Sequence, residues 1–335
     1  MFKKTLLAAA LSTAALSVSA YEVGVNDEYE VEVYGVAAIS AVNYNITDNR
    51  DADTGYVLEN ESRIGFRAGT NMTDDIHVFM QIESGYVGNA GADGTLGARD
   101  TFIGLGGDWG QVRFGRVLTP LYEIVDWPFS NPGLGTVFDW GGVSGHYDRQ
   151  SNQIRYDSPS FNGFTFAAST GRGDSSVKDS NFYGASAKYT FSTVTLMGAV
   201  EGGSEFKTGD GVDDNPLGTD NFSYIAGFEA GLPGGFGIAG AYKGESLSGT
   251  SDKEQDSVSL IAQYWNGPIG VKVGYAVNFD SKEMGIEQDD KDSVASIQVM
   301  GAINGFVPYV RLAARMPNAH DDKDIVARVG MEYGF

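Results

Sequence analysis

Residues 268–280 read PIGVKVGYAVNFD. In an extended chain Ile269, Val271, Val273, Tyr275, Val277 and Phe279 fall on one side, and Gly270, Lys272, Gly274, Ala276 and Asn278 on the other. A period of two over about 11 residues marks a strand with one apolar and one small or polar face, long enough to cross a bilayer when tilted. The pattern returns at 182–191, where Tyr183, Ala185, Ala187, Tyr189 and Phe191 oppose Gly184, Ser186, Lys188 and Thr190. It returns again at 222–232, where Phe222, Tyr224, Ala226, Phe228 and Leu232 oppose Ser223, Gly227 and Glu229.

Followed along the chain, alternation predicts sixteen strands, at 30–44, 59–70, 75–86, 99–107, 110–117, 151–157, 163–170, 181–191, 194–202, 221–231, 235–245, 256–265, 268–279, 292–302, 305–315 and 324–335. Every second connection is a tight turn, as at Asn71–Asp74, Gly107–Gly110, Leu232–Gly234, Asn266–Gly267 and Ile303–Asn304. Those residues favour hairpin turns. The intervening connections are long and mostly acidic, for example NITDNRDADTG and SLSGTSDKEQD. Strict alternation puts all turns at one end of a meander and all loops at the other. That is the layout of an outer-membrane barrel, with short periplasmic turns and long extracellular loops. A soluble β-sandwich or repeat adhesin also alternates, but offers no reason for this long-short rhythm.

The segment 118–150, LTPLYEIVDWPFSNPGLGTVFDWGGVSGHYDRQ, breaks the rhythm. A loop beyond about 12–15 residues is usually functional or disordered, and disordered segments are poor in aromatics. This one is rich in them, so it is expected to pack.

Lys3 and Lys4, an apolar run from Thr5 to Val18, and Val18-Ser19-Ala20 compose a secretory leader over 1–20. The mature domain is then 21–335, one barrel. No other run is apolar and long enough for a membrane helix. Cysteine is absent, which excludes disulfides and thiolate metal sites. The formal charge of −21 excludes nucleic-acid binding, which needs basic patches.

Several stretches resemble the general, non-specific trimeric porins of Gram-negative outer membranes: SRIGFRAG at 62–69, FMQIESGY at 79–86, ARDTFIGLGGDWGQVRFGRVLTPLYEIVD at 98–126, SNQIRYDSP at 151–159, and the terminal IVARVGMEYGF. The resemblance implies an all-β, transmembrane, antiparallel 16-stranded barrel with an inward-folded constriction loop at about 118–150. It also implies a homotrimer, contact with outer-membrane lipid and lipopolysaccharide, and a terminal signal in Tyr333 and Phe335 read by the barrel-assembly machinery. The expected function is passive diffusion of small hydrophilic solutes and ions, without a cofactor. The acid excess adds an expectation of mild cation preference.

The resemblance further implies that Glu123, Asp126 and Asp139 line one side of the constriction. Residue parity supplies a facing wall. With Ile64, Phe66, Phe102, Phe114, Ile154 and Tyr156 outward, Arg63, Arg67, Arg99, Arg113 and Arg155 point inward from the second, fourth, fifth and sixth strands. Arg311 and Arg315 on the fifteenth are inward too. Such a wall either sets a transverse field or pins the loop by pairing with its acids. Arg116 is turned outward, where a midplane charge costs about 2–4 kcal/mol. It is therefore expected near a strand end or at a subunit interface.

The residues admit three other chemistries. His146, near Ser144, Asp139 and Asp148, admits a Ser/His/Asp hydrolase, but no G-x-S-x-G elbow is present. Asp213, Asp214, Asp289 and Asp290 lack the spacing of a calcium loop, so no metal is expected. The loop aromatics Tyr122, Trp127, Phe129 and Trp140, with Phe138 and Tyr147, either glue the loop to the wall or form a track for pyranose faces, as in oligosaccharide-specific porins of the chitoporin kind. A plugged barrel without conductance is a further alternative.

Overall fold

The computed structural model describes residues 21–22, 30–45, 55–88, 94–131, 136–140, 143, 145–173, 177–205, 219–249, 251–317 and 323–335. The leader expected at 1–20 lies outside them, as do Ser144, Asp213, Asp214 and His320.

Sixteen antiparallel strands close into a barrel. They are β1 (Glu30–Asn45), β2 (Arg63–Asn71), β3 (His77–Ser84), β4 (Leu96–Gly107), β5 (Gly110–Leu118), β6 (Arg149–Asp157), β7 (Phe164–Arg172), β8 (Asn181–Phe191), β9 (Val194–Ser204), β10 (Asp220–Gly231), β11 (Phe236–Ser248), β12 (Lys253–Asn266), β13 (Ile269–Asn278), β14 (Asp292–Gly301), β15 (Phe306–Pro317) and β16 (Asp324–Gly334). Each pairs with its neighbours in sequence. The ring closes where β1 meets β16, Val36 opposite Gly334 and Asn45 opposite Ile325. Gly35 and Phe335 exchange two backbone hydrogen bonds of 3.1 Å at the seam. Closure leaves no open edge, which a bilayer requires because hydrocarbon cannot satisfy an unpaired backbone group.

Tight turns fall where Gly and Asn punctuate the sequence, as at Asn266–Ile269, where Gly267 takes φ +58°. The strand expected at 59–70 is broken. A short strand Val57–Asn60 precedes β2, which begins only at Arg63. In the gap, side chains replace the ladder: Asn60 Oδ1 accepts the Ser62 N–H at 3.1 Å, and Ser62 Oγ accepts the Ala38 N–H at 2.9 Å.

The outward face is a continuous apolar belt, with Ile103, Ile154, Tyr183, Leu196, Leu260, Ile269, Val310 and Val329 exposed. An exposed apolar surface of this extent marks a membrane contact. No helix among the described residues is long and apolar enough to cross a membrane, so the strands make the crossing.

The inward face differs from expectation in two ways. Over β9 to β16 it carries apolar residues as well as small and polar ones. Met197, Ile225, Ile261, Val294 and Val326 form a buried cluster with Leu121, Ile124, Val125, Phe129, Val137 and Phe138 of the inner loop. The hydrophobic core thus lies inside the barrel, between loop and wall. Phe102, expected outward, faces inward: its ring meets Phe79 at 5.9 Å and the Arg113 guanidinium at 5.4 Å, while Ile103 and Leu105 are exposed. Arg99 nevertheless reaches the lumen, because Gly97 adopts φ +86° and the β3–β4 register shifts between Ile82 and Ser84. The bulge resets the alternation.

Candidate functional site: the loop folded into the barrel

Thr119 starts the inner loop. Its carbonyl accepts the Glu123 N–H at 3.2 Å and its hydroxyl accepts the Tyr122 N–H at 3.3 Å, opening a single helical turn, α1 (Tyr122–Asp126). Ile124 and Val125 are fully buried, whereas Asp126 on the same turn is exposed. The turn therefore has a wall side and a lumen side.

Beyond α1 the loop lacks regular structure, so its backbone polar groups need other partners when buried. Wall side chains supply them. Asn278 Oδ1 accepts the Phe138 N–H at 3.0 Å, Gln255 Oε1 the Val143 N–H at 3.2 Å, and Glu201 Oε1 the Tyr147 N–H at 2.7 Å. In the opposite sense Ser259 donates to the Phe129 carbonyl at 2.7 Å, Lys272 to that of Ser130 at 3.0 Å, and Lys243 to that of Asp139 at 3.1 Å. Phe138 is held at φ 77°, ψ −50°, a conformation costing about 1–3 kcal/mol that persists only where surroundings over-determine it. Its buried ring and the Asn278 bond do so here. Phe129 sits over Gly227, where a Cβ would lie 2.5 Å from the ring, so any larger residue on β10 displaces it.

Two of the expected loop groups consequently do not face the lumen. Asp139 was expected on the acidic side; it is buried, with one carboxylate oxygen accepting from Ser130 Oγ at 2.7 Å. Burial pushes its pKa up to about 7, against the opposing influence of Ser130 and Lys243. Phe129 was expected to meet solute; it is fully buried and packs edge-on against Phe138. Phe129 packs into the apolar cluster between loop and wall, and Asp139 is enclosed by Ser130, Lys243 and His146.

The arginines resolve into two groups. Arg63 and Arg99 converge on Glu83 at 3.7 Å and 2.5 Å, and the other Glu83 oxygen accepts from the Tyr34 hydroxyl at 2.7 Å. Arg67 lies 4.0 Å from the Tyr34 ring centroid, donates to Gln81 at 3.0 Å and stands 3.9 Å from Glu32. Lower on β5 and β6, Arg113 and Arg155 share Asp157 at 2.6 Å and 2.7 Å. Arg155 is almost fully buried; it also donates to the Leu118 carbonyl at 2.7 Å and to Glu123. It fastens the start of the loop. Arg116 points outward at the β5–β6 register shift, with its Nε on the Ala98 carbonyl at 2.7 Å and Nη1 on Ser151 Oγ at 3.2 Å.

The aromatics also divide. Phe129, Phe138 and Tyr147 are fully buried; Tyr122, Trp127 and Trp140 are half-buried. Tyr122 and Trp140 lie 5.5 Å apart, and Trp127 receives Lys272 Nζ 5.0 Å from its ring centroid. His146 is buried beneath Trp140, with Nδ1 3.0 Å from the Tyr147 carbonyl oxygen and Nε2 against that of Asp139. Burial, reinforced by Lys243, pushes its pKa below the ordinary value. Its nitrogens are engaged by backbone carbonyls, with Glu245 3.7 Å from Nε2, an arrangement that positions the loop.

Sequence reasoning missed Glu83, Arg149, Glu201, Lys243, Glu245 and Lys272. Arg149 pairs with Asp100 at 2.7 Å, and Lys243 with Glu245 at 2.8 Å in full burial. Parity places most of these inward; the missing signal was the apolar inward residues beside them, which imply that something packs there.

A model of the Gram-negative porin family matches residues 5–301. The chain is 58% identical to the Chitoporin of Vibrio furnissii over 363 aligned positions, covering 100% of this chain and 99% of that protein. It is 28% identical to the Monosaccharide porin of a Halomonas species, covering 82% and 76%. Among solved structures, the Anion-selective porin from Comamonas acidovorans superposes with a TM-score of 0.75 at 19% identity, covering 92% of this chain and 100% of that one. The in-vitro folded trimer form of OmpT of Vibrio cholerae gives 0.74 at 15%, with the same coverage. With its sixteen-stranded barrel, lipid-facing belt and inner loop, the chain belongs to the Gram-negative porins, channel proteins of the outer membrane rather than enzymes.

Proposed function

We propose that this porin is an oligosaccharide channel in which sugars slide over the half-exposed aromatics Tyr122, Trp127 and Trp140. The observation that carries the reading is the division of the loop aromatics. Those that only glue the loop are fully buried, and these three stay half-exposed. Sugar rings present apolar C–H faces that stack on aromatic planes and hydroxyls that bond to charged neighbours. Asp126 and the Arg63, Arg67 and Arg99 group supply those neighbours. The extensive similarity to a chitoporin supports a sugar of that type.

Cation preference has no such support. The chain's −21 charge is spread over the whole molecule, while Glu83, Glu123 and Asp157 in the lumen are each paired with arginine.

The assembly proposed is a homotrimer, as in the OmpT trimer form, with Arg116 at the contact between protomers. The outer belt meets lipid, acidic loops bridge lipopolysaccharide phosphates through cations, and Tyr333 and Phe335 address the assembly machinery.

The test is single-channel current in planar bilayers. Chito-oligosaccharides in the micromolar range should interrupt the current, and Trp127→Ala should weaken the block by about tenfold, the loss of roughly 1.4 kcal/mol. A current indifferent to chito- and malto-oligosaccharides at millimolar concentration, in the wild type as in the variant, would return the protein to the class of general sieves.

A further inference from the structure

Three inward side chains on adjacent strands stand in one register row. Lys272 on β13 is opposite Gln298 on β14, and Gln298 is opposite Arg311 on β15. Neighbouring strands are about 4.8 Å apart, so the row spans roughly 10 Å. One step toward the loops, Ser296 donates to Asn131 of the inner loop at 3.2 Å, and Ala313 lies in the buried cluster. The row therefore lies at the edge of the loop, with Gln298 buried and Lys272 and Arg311 half-exposed on either side of it.

Its hydrogen-bonding capacity is one-sided. Arg311 Nε donates to Gln298 Oε1 at 2.5 Å, which uses the only side-chain acceptor in the row. The Gln298 amide nitrogen is then left facing the Met300 thioether at 3.2 Å, a weak acceptor. Lys272 donates to the Ser130 carbonyl and retains further N–H groups. The Arg311 guanidinium lies 4.0 Å from the Tyr309 ring centroid, and its two terminal nitrogens carry no protein partner among the described residues. The two half-exposed side chains, Lys272 and Arg311, thus keep donors to spare.

Its charge is one-sided as well. The arginines of the Glu83 and Asp157 groups have carboxylates, and so has Arg328, 2.7 Å from Glu59. Among the described residues neither Lys272 nor Arg311 has a carboxylate within 4.0 Å. Arg328 is moreover directly opposite Arg311 on β16, a like-charge cross-strand pair that is unfavourable by itself. A chain with acids to spare thus leaves two neighbouring lumen cations unmatched.

We propose that Lys272 and Arg311, the latter held in place by Gln298, form a carboxylate-binding subsite in the lumen. A carboxylate is acceptor-only and anionic, and its two oxygens match the free end of a guanidinium fork. Lys272 neutralises it from the side that carries Trp127, so a sugar stacked on that ring places an acidic substituent on the row. The subsite requires an open channel, which the family supplies, and stands whether or not neutral sugars bind.

Single-channel recordings on the full-length protein test it with trigalacturonate, the neutral trisaccharide maltotriose, and succinate. Only folded channels insert, so a variant that misfolds gives no current, and Lys272→Met serves if Arg311→Gln does not insert. Trigalacturonate should block at least about ten times more strongly than maltotriose, and either substitution should bring its block down to that of maltotriose in the same variant, Arg311→Gln with no change in maltotriose itself. Raising the salt should weaken the trigalacturonate block alone. Succinate block that is lost in the variants identifies a free carboxylate as sufficient; loss confined to trigalacturonate identifies a sugar-borne one. Equal block by the charged and neutral trisaccharides, or a difference that survives in both variants, overturns the subsite. Failure of chito-oligosaccharides to block would count against the neutral-sugar reading only.

Discussion

Replacing Arg155 by Met removes the fastening at the start of the inner loop. The guanidinium holds the Leu118 carbonyl at 2.7 Å, Asp157 at 2.7 Å and Glu123. Each charge-assisted bond is worth about 1.5–3 kcal/mol net. The three do not simply add. Asp157 keeps Arg113 at 2.6 Å, and the Glu123 side chain is 37% exposed and can be rehydrated. The expected loss is about 3 kcal/mol in docking of the loop, close to a hundredfold in its opening equilibrium. Hydrogen exchange of the Ile124 and Val125 amides, both bonded to the Leu121 carbonyl, reports it directly. Their exchange should accelerate by roughly a hundredfold, with added noise in the open-channel current. Pairing Arg155→Met with Glu123→Gln should recover part of the loss, because an unmatched carboxylate is removed. Wild-type exchange rates in Arg155→Met would show that the apolar cluster alone docks the loop.

Two further predictions concern the loop's pH response and the outer surface. Asp139 has a raised pKa, about 7 against 3.8, so the docked loop holds a proton that the released loop gives up between those values, and docking strengthens as pH falls through that window. His146 has the opposite sign, since its lowered pKa makes docking weaken as pH falls below 6.5. Asp139→Asn should therefore remove Asp139's share of the strengthening and shift the balance toward the histidine's loss. Loop-amide exchange that in this variant slows on acidification as much as in the wild type would refute the assignment. Arg116→Leu should lower the temperature at which the oligomer dissociates on a gel, if the outward guanidinium lies between protomers; unchanged heat stability places it against lipid instead.

Much of the site was legible in residue order. Alternation placed Arg63, Arg67, Arg113 and Arg155 on the inward face, and the broken rhythm at 118–150 marked the loop. The fate of individual loop groups was not legible. Asp126 and Asp139 are both acids in an aromatic-rich segment, yet one is exposed and the other buried. The difference comes from the wall each meets. Asp139 lies among β11 to β13 side chains more than a hundred residues away, such as Lys243, which bonds its carbonyl. Likewise Phe129 and Trp127 are near neighbours in sequence, but only Phe129 has a glycine opposite it to make room.

By itself the sequence determined the barrel. A strand's side chains alternate with period two, so most outward residues, the turn positions and the strand count follow from local order once one face must meet lipid, save where a bulge resets the alternation, as at Phe102. Tertiary structure decided what the lumen is. Whether an inward residue meets water, holds the loop backbone or faces a like charge depends on which strands stand side by side and on how the loop folds across them. Arg311 and Arg155 are both inward arginines by alternation. Only the folded loop brings Glu123 to one of them, and only the pairing of β15 with β16 sets Arg328 beside the other.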